Sequence, residues 1–306
     1  MISRSIAAAA FALSVWAGSA LAQDPPAVAK ADPADRDAIR ATIAAAKAEG
    51  SVSFLDAVVA PETQDELTPL FLKTYGLPSN FAVKHTLSPT LAVVTRVDQE
   101  VGSGNVTVDI AALASSPWVN SLVDAGHILK YDSPEAKHYD KSYSVGLGRK
   151  SYYTPNGGYM FVPSWNPDIF DFKGKSWRDV LGSVAEGRIS INDSTNSATG
   201  LLSYMGLRQI LDLDYFKALA KMKPVFIVRS EQTAERLVNG QDLMAWGGSP
   251  GRMLQYNEKG ANLKFLFPTE GILLLGNNTF ILAKAPHPNA AKLWMDFLLS
   301  EAGQTI

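Results

Sequence analysis

Hydrophobic positions along the chain switch repeatedly between a helical period and short unbroken runs. Asp35 can cap a helix that carries Ile39 and Ile43 on one face and stops at Gly50, and the apolar run 52–55 then reads as a buried strand. Pro61-Glu62-Thr63 opens a second helix bearing Leu67, Leu70 and Phe71, which ends near Gly76 before a strand at 81–84. At Ser88-Pro89 the serine can cap and the proline can take the first helical position of a third helix, through Leu91, Val94 and Val97 towards Gly102. Residues 106–113 are strand-like. Strands separated by helices of this length predict a mostly parallel sheet covered on both faces.

The second half continues the alternation with different punctuation. Residues 159–163 are extended, Lys175-Ser176-Trp177 opens a short helix, and 187–191 reads as a strand. A polar turn, Asp193 to Gly200, then feeds a helix whose Leu201, Met205, Ile210 and Leu211 approximate helical spacing. Further strands are expected at 225–228, 242–246 and 263–267. A closing helix at 288–300 turns Leu293, Trp294, Phe297 and Leu298 inwards. No repeat of 20 to 50 residues is present.

The amino terminus breaks the pattern. Arg4 precedes an apolar stretch from Ile6 to Trp16, and Ala20-Leu21-Ala22 has the small-x-small form cut by signal peptidase. A spanning helix needs about 20 apolar residues, whereas Ser14, Gly18 and Ser19 interrupt this run. Residues 1–22 therefore read as an export signal cleaved after Ala22, followed by a short Ala- and Pro-rich tether, so the mature protein is expected in the periplasm.

Composition excludes several chemistries. The 306 residues contain no cysteine, so disulfides, thiolate metal sites and cysteine nucleophiles are ruled out. With 28 basic against 30 acidic side chains there is no global basic field for nucleic acid. The four histidines, His85, His127, His138 and His287, lie far apart without metal-ligand spacing and read as surface or turn residues. Gly247-Gly248-Ser249-Pro250-Gly251 matches the nucleophile-elbow pattern, which would make Ser249 the nucleophile of a secreted hydrolase. The mechanism opposes it, because the residue after the serine must donate its N–H to the oxyanion and Pro250 has none. No catalytic function and no cofactor are expected.

Small polar residues recur after successive strands: Asp56 to Pro61, Leu87 to Thr90, Ala114 to Pro117, Asp193 to Gly200, and Gly247 to Gly251. In open α/β sheets ligands bind beyond the carboxyl ends of strands, and helix starts there offer N–H groups to an anion. Any one cluster can be an ordinary helix cap. Their recurrence predicts a site.

The export signal, Ala46-Lys47-Ala48-Glu49-Gly50-Ser51-Val52, Ser176-Trp177-Arg178-Asp179-Val180-Leu181, Ala285-Pro286-His287-Pro288-Asn289-Ala290-Ala291-Lys292-Leu293 and the later Ser300-Glu301-Ala302-Gly303-Gln304 resemble an extracellular solute-binding protein of a bacterial ABC importer. The most similar group is the type II class that includes ferric-iron, 2-aminoethylphosphonate, thiamine and polyamine binders. The resemblance implies an α/β, two-lobed type II periplasmic-binding-protein fold, with mostly parallel sheets, flanking helices and crossing strands near 142–160 and 267–282 that act as a hinge. It places the first lobe at 23–150 plus 272–306 and the second at 151–271. It implies a monomer that hands a small solute to an inner-membrane permease. The family usually continues beyond the position matching Ile306, which leaves a carboxyl-terminal truncation of the first lobe open.

Iron-binding members carry adjacent tyrosines where this chain reads Trp246-Gly247-Gly248-Ser249, so an organic anion or zwitterion is expected instead. Its oxygens would meet Ser88, Thr90, Ser115, Ser116, Asn196, Ser197, Thr199, Gly248 and Ser249, and an ammonium would meet Asp56 or Glu270. Ser197→Ala is expected to weaken binding without destabilising the fold. The alternative is ferric iron with a synergistic anion, recruiting Tyr152 or Tyr153, although an adjacent tyrosine pair more often packs.

Overall fold

The computed structural model describes residues 24–139, 151–152 and 154–306. The expected export signal and Tyr153 lie outside them, as does the first part of the expected crossing near 142–160. The helix stops read from sequence are physical ones: Gly50 and Gly76 end their helices at φ 75° and 57°, left-handed conformations that disfavour any side chain.

The first lobe starts with α1 (Pro26–Lys30), α2 (Arg36–Glu49), β1 (Ser51–Asp56), α3 (Pro61–Tyr75), β2 (Ala82–Leu87), α4 (Thr90–Ser103), β3 (Ile110–Leu113) and α5 (Ser116–Asp124). After β4 (Thr154–Met160) the chain leaves this lobe through Phe161 into β5 (Val162–Trp165). The second lobe adds β6 (Ile189–Asn192), α6 (Ala198–Leu207), α7 (Leu213–Lys221), β7 (Val225–Ile227), α8 (Ser230–Val238), β8 (Met244–Gly248), α9 (Pro250–Glu258) and β9 (Lys264–Phe265). Residues 266–273 lead back to β10 (Leu274–Ile281), α10 (Pro288–Leu299) and α11 (Glu301–Gln304).

The first sheet has strand order β2-β1-β3-β10-β4 and the second β7-β6-β8-β5-β9. In each, three strands run parallel and the returning crossing strands pair antiparallel to them. Because β4 pairs with β10, the change of sheet falls at residue 161 rather than at 150. The strand expected at 106–113 is confined to its last four residues, and α4 begins one residue later than expected. Pro89 holds its cap position, so the Ser88 side chain does not cap it.

Each lobe has its own core. In the first, Phe71 meets Trp294 edge-on at 4.8 Å between ring centroids and also touches Tyr75, Phe81 and Phe297. Removing a fully buried aromatic such as Trp294 costs about 3–5 kcal/mol. The second core is built on Trp177, Tyr215, Phe216 and Trp246, and here the rings also carry hydrogen bonds. Trp246 Nε1 donates to Tyr215 Oη at 2.8 Å, Tyr215 Oη to the Trp177 carbonyl at 3.1 Å, and Trp177 Nε1 to the Gly271 carbonyl at 2.9 Å. The last of these ties the second core to the returning segment.

Two histidines are structural and not surface residues. His85 Nε2 lies 2.9 Å from the fully buried Asp56 carboxylate. His287 Nδ1 lies 3.0 Å from Asp109 Oδ2, and its Nε2 lies 3.2 Å from Ser51 Oγ. Asp109 also accepts from the Ser53 and His287 amides, so the relay clasps the starts of β1 and α10.

Candidate ligand-binding site

Strand register fixes where the two lobes face one another. Leu113, the end of β3, pairs with Asn278 of β10, and β10 begins four residues earlier where it emerges from the second lobe. In the other sheet Gly248, the end of β8, pairs with Val162, the first residue beyond the first crossing. The carboxyl ends of β1, β2 and β3 and those of β6, β7 and β8 thus both point towards the crossings. The loops expected to form a site line a cleft between the lobes.

The helix starts in that cleft are of two kinds. At α6, Ser197 Oγ accepts from the Gly200 amide at 3.1 Å and lies 3.1 Å from Thr199 Oγ1. Before it, Asp193 Oδ1 accepts from the Thr195 hydroxyl and from the Thr195 and Asn196 amides, and Oδ2 accepts from Asn196 Nδ2. These hydrogen bonds, that from the Thr195 hydroxyl foremost, pull the Asp193 carboxyl down to about 2. Ser197 is therefore an integral cap, and its replacement would cost stability, contrary to the sequence expectation.

Ser115 and Ser249 occupy the cap positions of α5 and α9, yet neither hydroxyl bonds its own helix or any other group among the described residues. Both are half-buried. The neighbouring Ser116 Oγ receives Asn278 Nδ2 at 3.1 Å, while the fully buried Asn278 Oδ1 has no hydrogen-bond partner among the described residues. Gly248 brings β8 against Ser164: a β-carbon there would lie 2.2 Å from Ser164 Oγ. Ser88 and Thr90 flank the start of α4, with the Ser88 amide donating to the Asp56 carbonyl at 2.8 Å.

The two candidate partners for an ammonium are already engaged. Asp56 Oδ1 accepts from the Val58 and Val59 amides, and Oδ2 faces His85. Glu270 accepts from the Trp177 and Arg178 amides and from Thr269 Oγ1. Tyr152 packs against the first-lobe core. Among the described residues no group of three or more His, Asp or Glu is placed to hold a metal ion.

Two polar groups absent from the sequence reading stand at the same strand ends. Arg229 follows β7 at its carboxyl end and is exposed; its carbonyl accepts from the Gln232 amide at 3.1 Å, while its guanidinium has no ion pair or hydrogen bond among the described residues. Asn192 ends β6 with its Nδ2 buried and without a partner, against Gly247 of β8. Both lie immediately beyond short apolar runs, the signal that could have singled them out. A cavity of about 660 Å³ lies between α1, α11 and residues 134–139, and one of about 490 Å³ between α7, the β7 edge and Ser194 of the turn before α6. No helix among the described residues is long and apolar enough to cross a membrane.

Two lobes joined by crossing strands, with helix starts of both turned towards the crossings, form an arrangement suited to closing on a solute. Residues 105–306 match the family model described as bacterial extracellular solute-binding protein, and the chain belongs to that family. It is a solute-binding protein and not an enzyme. The substrate binding protein of the ABC transporter from Agrobacterium tumefaciens has a similar structure, with a TM-score of 0.71 at 15% identity, covering 84% of this chain and 77% of that one. AfuA from Actinobacillus pleuropneumoniae, with exogenous fructose-6-phosphate bound, aligns with a TM-score of 0.69 at 18% identity over 83% of this chain and 80% of its own. Iron-bound HitA from Pseudomonas aeruginosa aligns at 0.67 and 18% identity over 83% and 82%. No curated protein matches the sequence.

Proposed function

We propose that the protein captures a small organic anion between its lobes and delivers it to the permease of an ABC importer. The observation that carries this reading is the pair of uncommitted cap hydroxyls, Ser115 from the first lobe and Ser249 from the second. A helix start whose cap serine leaves the first N–H groups unmet is suited to a charged oxygen, and the helix dipole favours negative charge there. Pro117 and Pro250 remove one donor each, so Ser116, Trp118, Gly251 and Arg252 supply the backbone N–H groups. Arg229 contributes a cation at the rim, and Thr199, Asn192 and the starts at Ser88 and Thr90 complete the ring of donors. With Asp56 and Glu270 engaged elsewhere, a plain anion fits better than a zwitterion.

Export would precede capture, with residues 1–22 removed. Amino-terminal sequencing of the mature protein should begin at Gln23; an intact apolar segment in the membrane pellet would oppose this. Native mass spectrometry of protein taken directly from the periplasm tests the ligand. A co-purified organic anion is the expected result, and a co-purified polyamine, neutral sugar or ferric ion would overturn the reading.

A further inference from the structure

The helix following the Asp193–Gly200 turn buries small residues and leaves long apolar ones exposed. Leu201 and Met205, one turn apart on α6, are 44% and 55% exposed, while the small residues Gly200 and Ser203 are buried. The helix is seated by Gly206, where a β-carbon would meet Leu273 Cδ2 at 2.3 Å, so its inner side is shaped for the returning segment. The long apolar chains are left on the side away from that contact.

The first lobe exposes similar residues at the carboxyl ends of its strands. Val58 lies two positions past β1, Leu87 is the last residue of β2, and Leu91, 59% exposed, is in the first turn of α4. Helices α4 and α6 come within 8 Å of each other between Cα atoms. Leu274, 46% exposed, opens β10 where the chain re-enters the first lobe. In the strand orders β2-β1-β3 and β7-β6-β8, the loops that carry these apolar side chains and those that carry Ser115 and Ser249 follow neighbouring strands at the same sheet ends. A compact, fully polar anion would use the donors and leave these side chains facing water, whereas a ligand with an apolar body would cover both.

We infer that the solute is an amphipathic organic anion, with its charged head at the helix starts and an aliphatic or aromatic body against Leu91, Leu201 and Met205. This rests on the anion reading above and narrows it. The charge complementarity comes from Arg229 and the open helix starts.

Titration of the purified mature protein with acetate, butyrate, hexanoate, benzoate, methylphosphonate and phenylphosphonate, followed by calorimetry and melting temperature, tests it. Citrate, inorganic phosphate and 2-aminoethylphosphonate serve as polar competitors, and hexanol and benzyl alcohol as uncharged ones. At about 0.8 kcal/mol per buried methylene, hexanoate should bind roughly fifteenfold tighter than butyrate, and phenylphosphonate should exceed methylphosphonate. Leu201→Ser and Met205→Ser should reduce the hexanoate-to-butyrate ratio at least threefold. Equal or tighter binding of the compact polar anions overturns the inference and leaves the anion reading standing. A uniform loss across the panel in both variants also overturns it, since the two side chains would then serve only to close the lobes. Binding of the alcohols without the anions retains the apolar lining and removes the anion reading, and silence across the panel counts against both.

Discussion

The start of α6 and the starts of α5 and α9 are alike in sequence, each a serine before a helix in a loop after a strand, and opposite in what the fold does with them. At α6 the polar groups satisfy one another, so that Asp193, Thr195, Asn196 and Ser197 form a closed turn. At Ser115 and Ser249 the hydroxyls and the first backbone donors are left over. A capping pattern alone does not distinguish a brace from a receptor. The difference lies in whether the hydroxyl has a partner of its own.

The largest effect that would break this distinction is on affinity. Replacing Ser115 and Ser249 together by alanine should weaken binding of the co-purified ligand at least a hundredfold, because a hydrogen bond to a charged group contributes about 1.5–3 kcal/mol. The melting temperature of the unliganded protein should change by no more than about 1 °C, since neither hydroxyl stabilises the fold. Calorimetric titration and thermal denaturation of the double variant measure both quantities. A loss of stability matching the loss of affinity would make these serines braces as well.

Next in size is Gly248→Ala, which asks whether the open start of α9 depends on close backbone packing. The added carbon would overlap Ser164, which is itself fully buried, and overpacking of this kind costs about 1–3 kcal/mol. A lowered melting temperature, with weaker binding in proportion to the displaced Ser249, is expected. An unchanged melting temperature would mean that β5 and β8 separate more easily than their pairing implies.

The same contrast explains what the sequence could and could not reveal. Helix starts and stops at Pro61, Gly50 and Gly76, and the apolar face of α10, were legible because they depend on neighbours within a turn or two. The two-lobed architecture came from resemblance, and the family match agrees with it. The crossing strand β4 lies within the expected 142–160, but the lobe boundary falls after it and not at 150, because β4 is recognisable as a first-sheet strand only through its pairing with β10, more than 100 residues away. The exposure of Leu201 and Met205 is illegible in the sequence for a related reason. Helical spacing identifies an apolar face, but only Leu273 meeting Gly206 shows which face turns inwards. Asp56 and Glu270 were candidate ligand groups until their partners, His85 and the Trp177 amide, came into view.

A smaller effect is expected at Ser197. Removing a cap serine costs about 0.5–2 kcal/mol, so Ser197→Ala should lower stability by about 1 kcal/mol while affinity for the co-purified ligand falls by less than about threefold. Chemical denaturation and titration of this one variant set it directly beside the Ser115 and Ser249 pair. A tenfold loss of affinity at unchanged stability would reverse the assignment of brace and receptor.

The smallest effect near neutral pH concerns Asp193, the centre of the closed turn. Its carboxyl, held at about 2 against an ordinary value of 3.8, is ionised in both the folded and unfolded chain at pH 7, so its contribution is constant there. As pH falls below about 4 the unfolded chain takes up the proton first, and the stabilisation is lost progressively as pH approaches 2. Asp193→Asn keeps one acceptor but sets its amide donor against Asn196 Nδ2, so the variant should be less stable than the wild type by a fixed amount from pH 8 to 5. That gap should narrow between pH 4 and 2. Paired urea titrations at pH 7, 5 and 3 follow it, and a gap that changes between pH 7 and 5 would show that another titrating group, not the Asp193 carboxylate, holds the α6 turn closed.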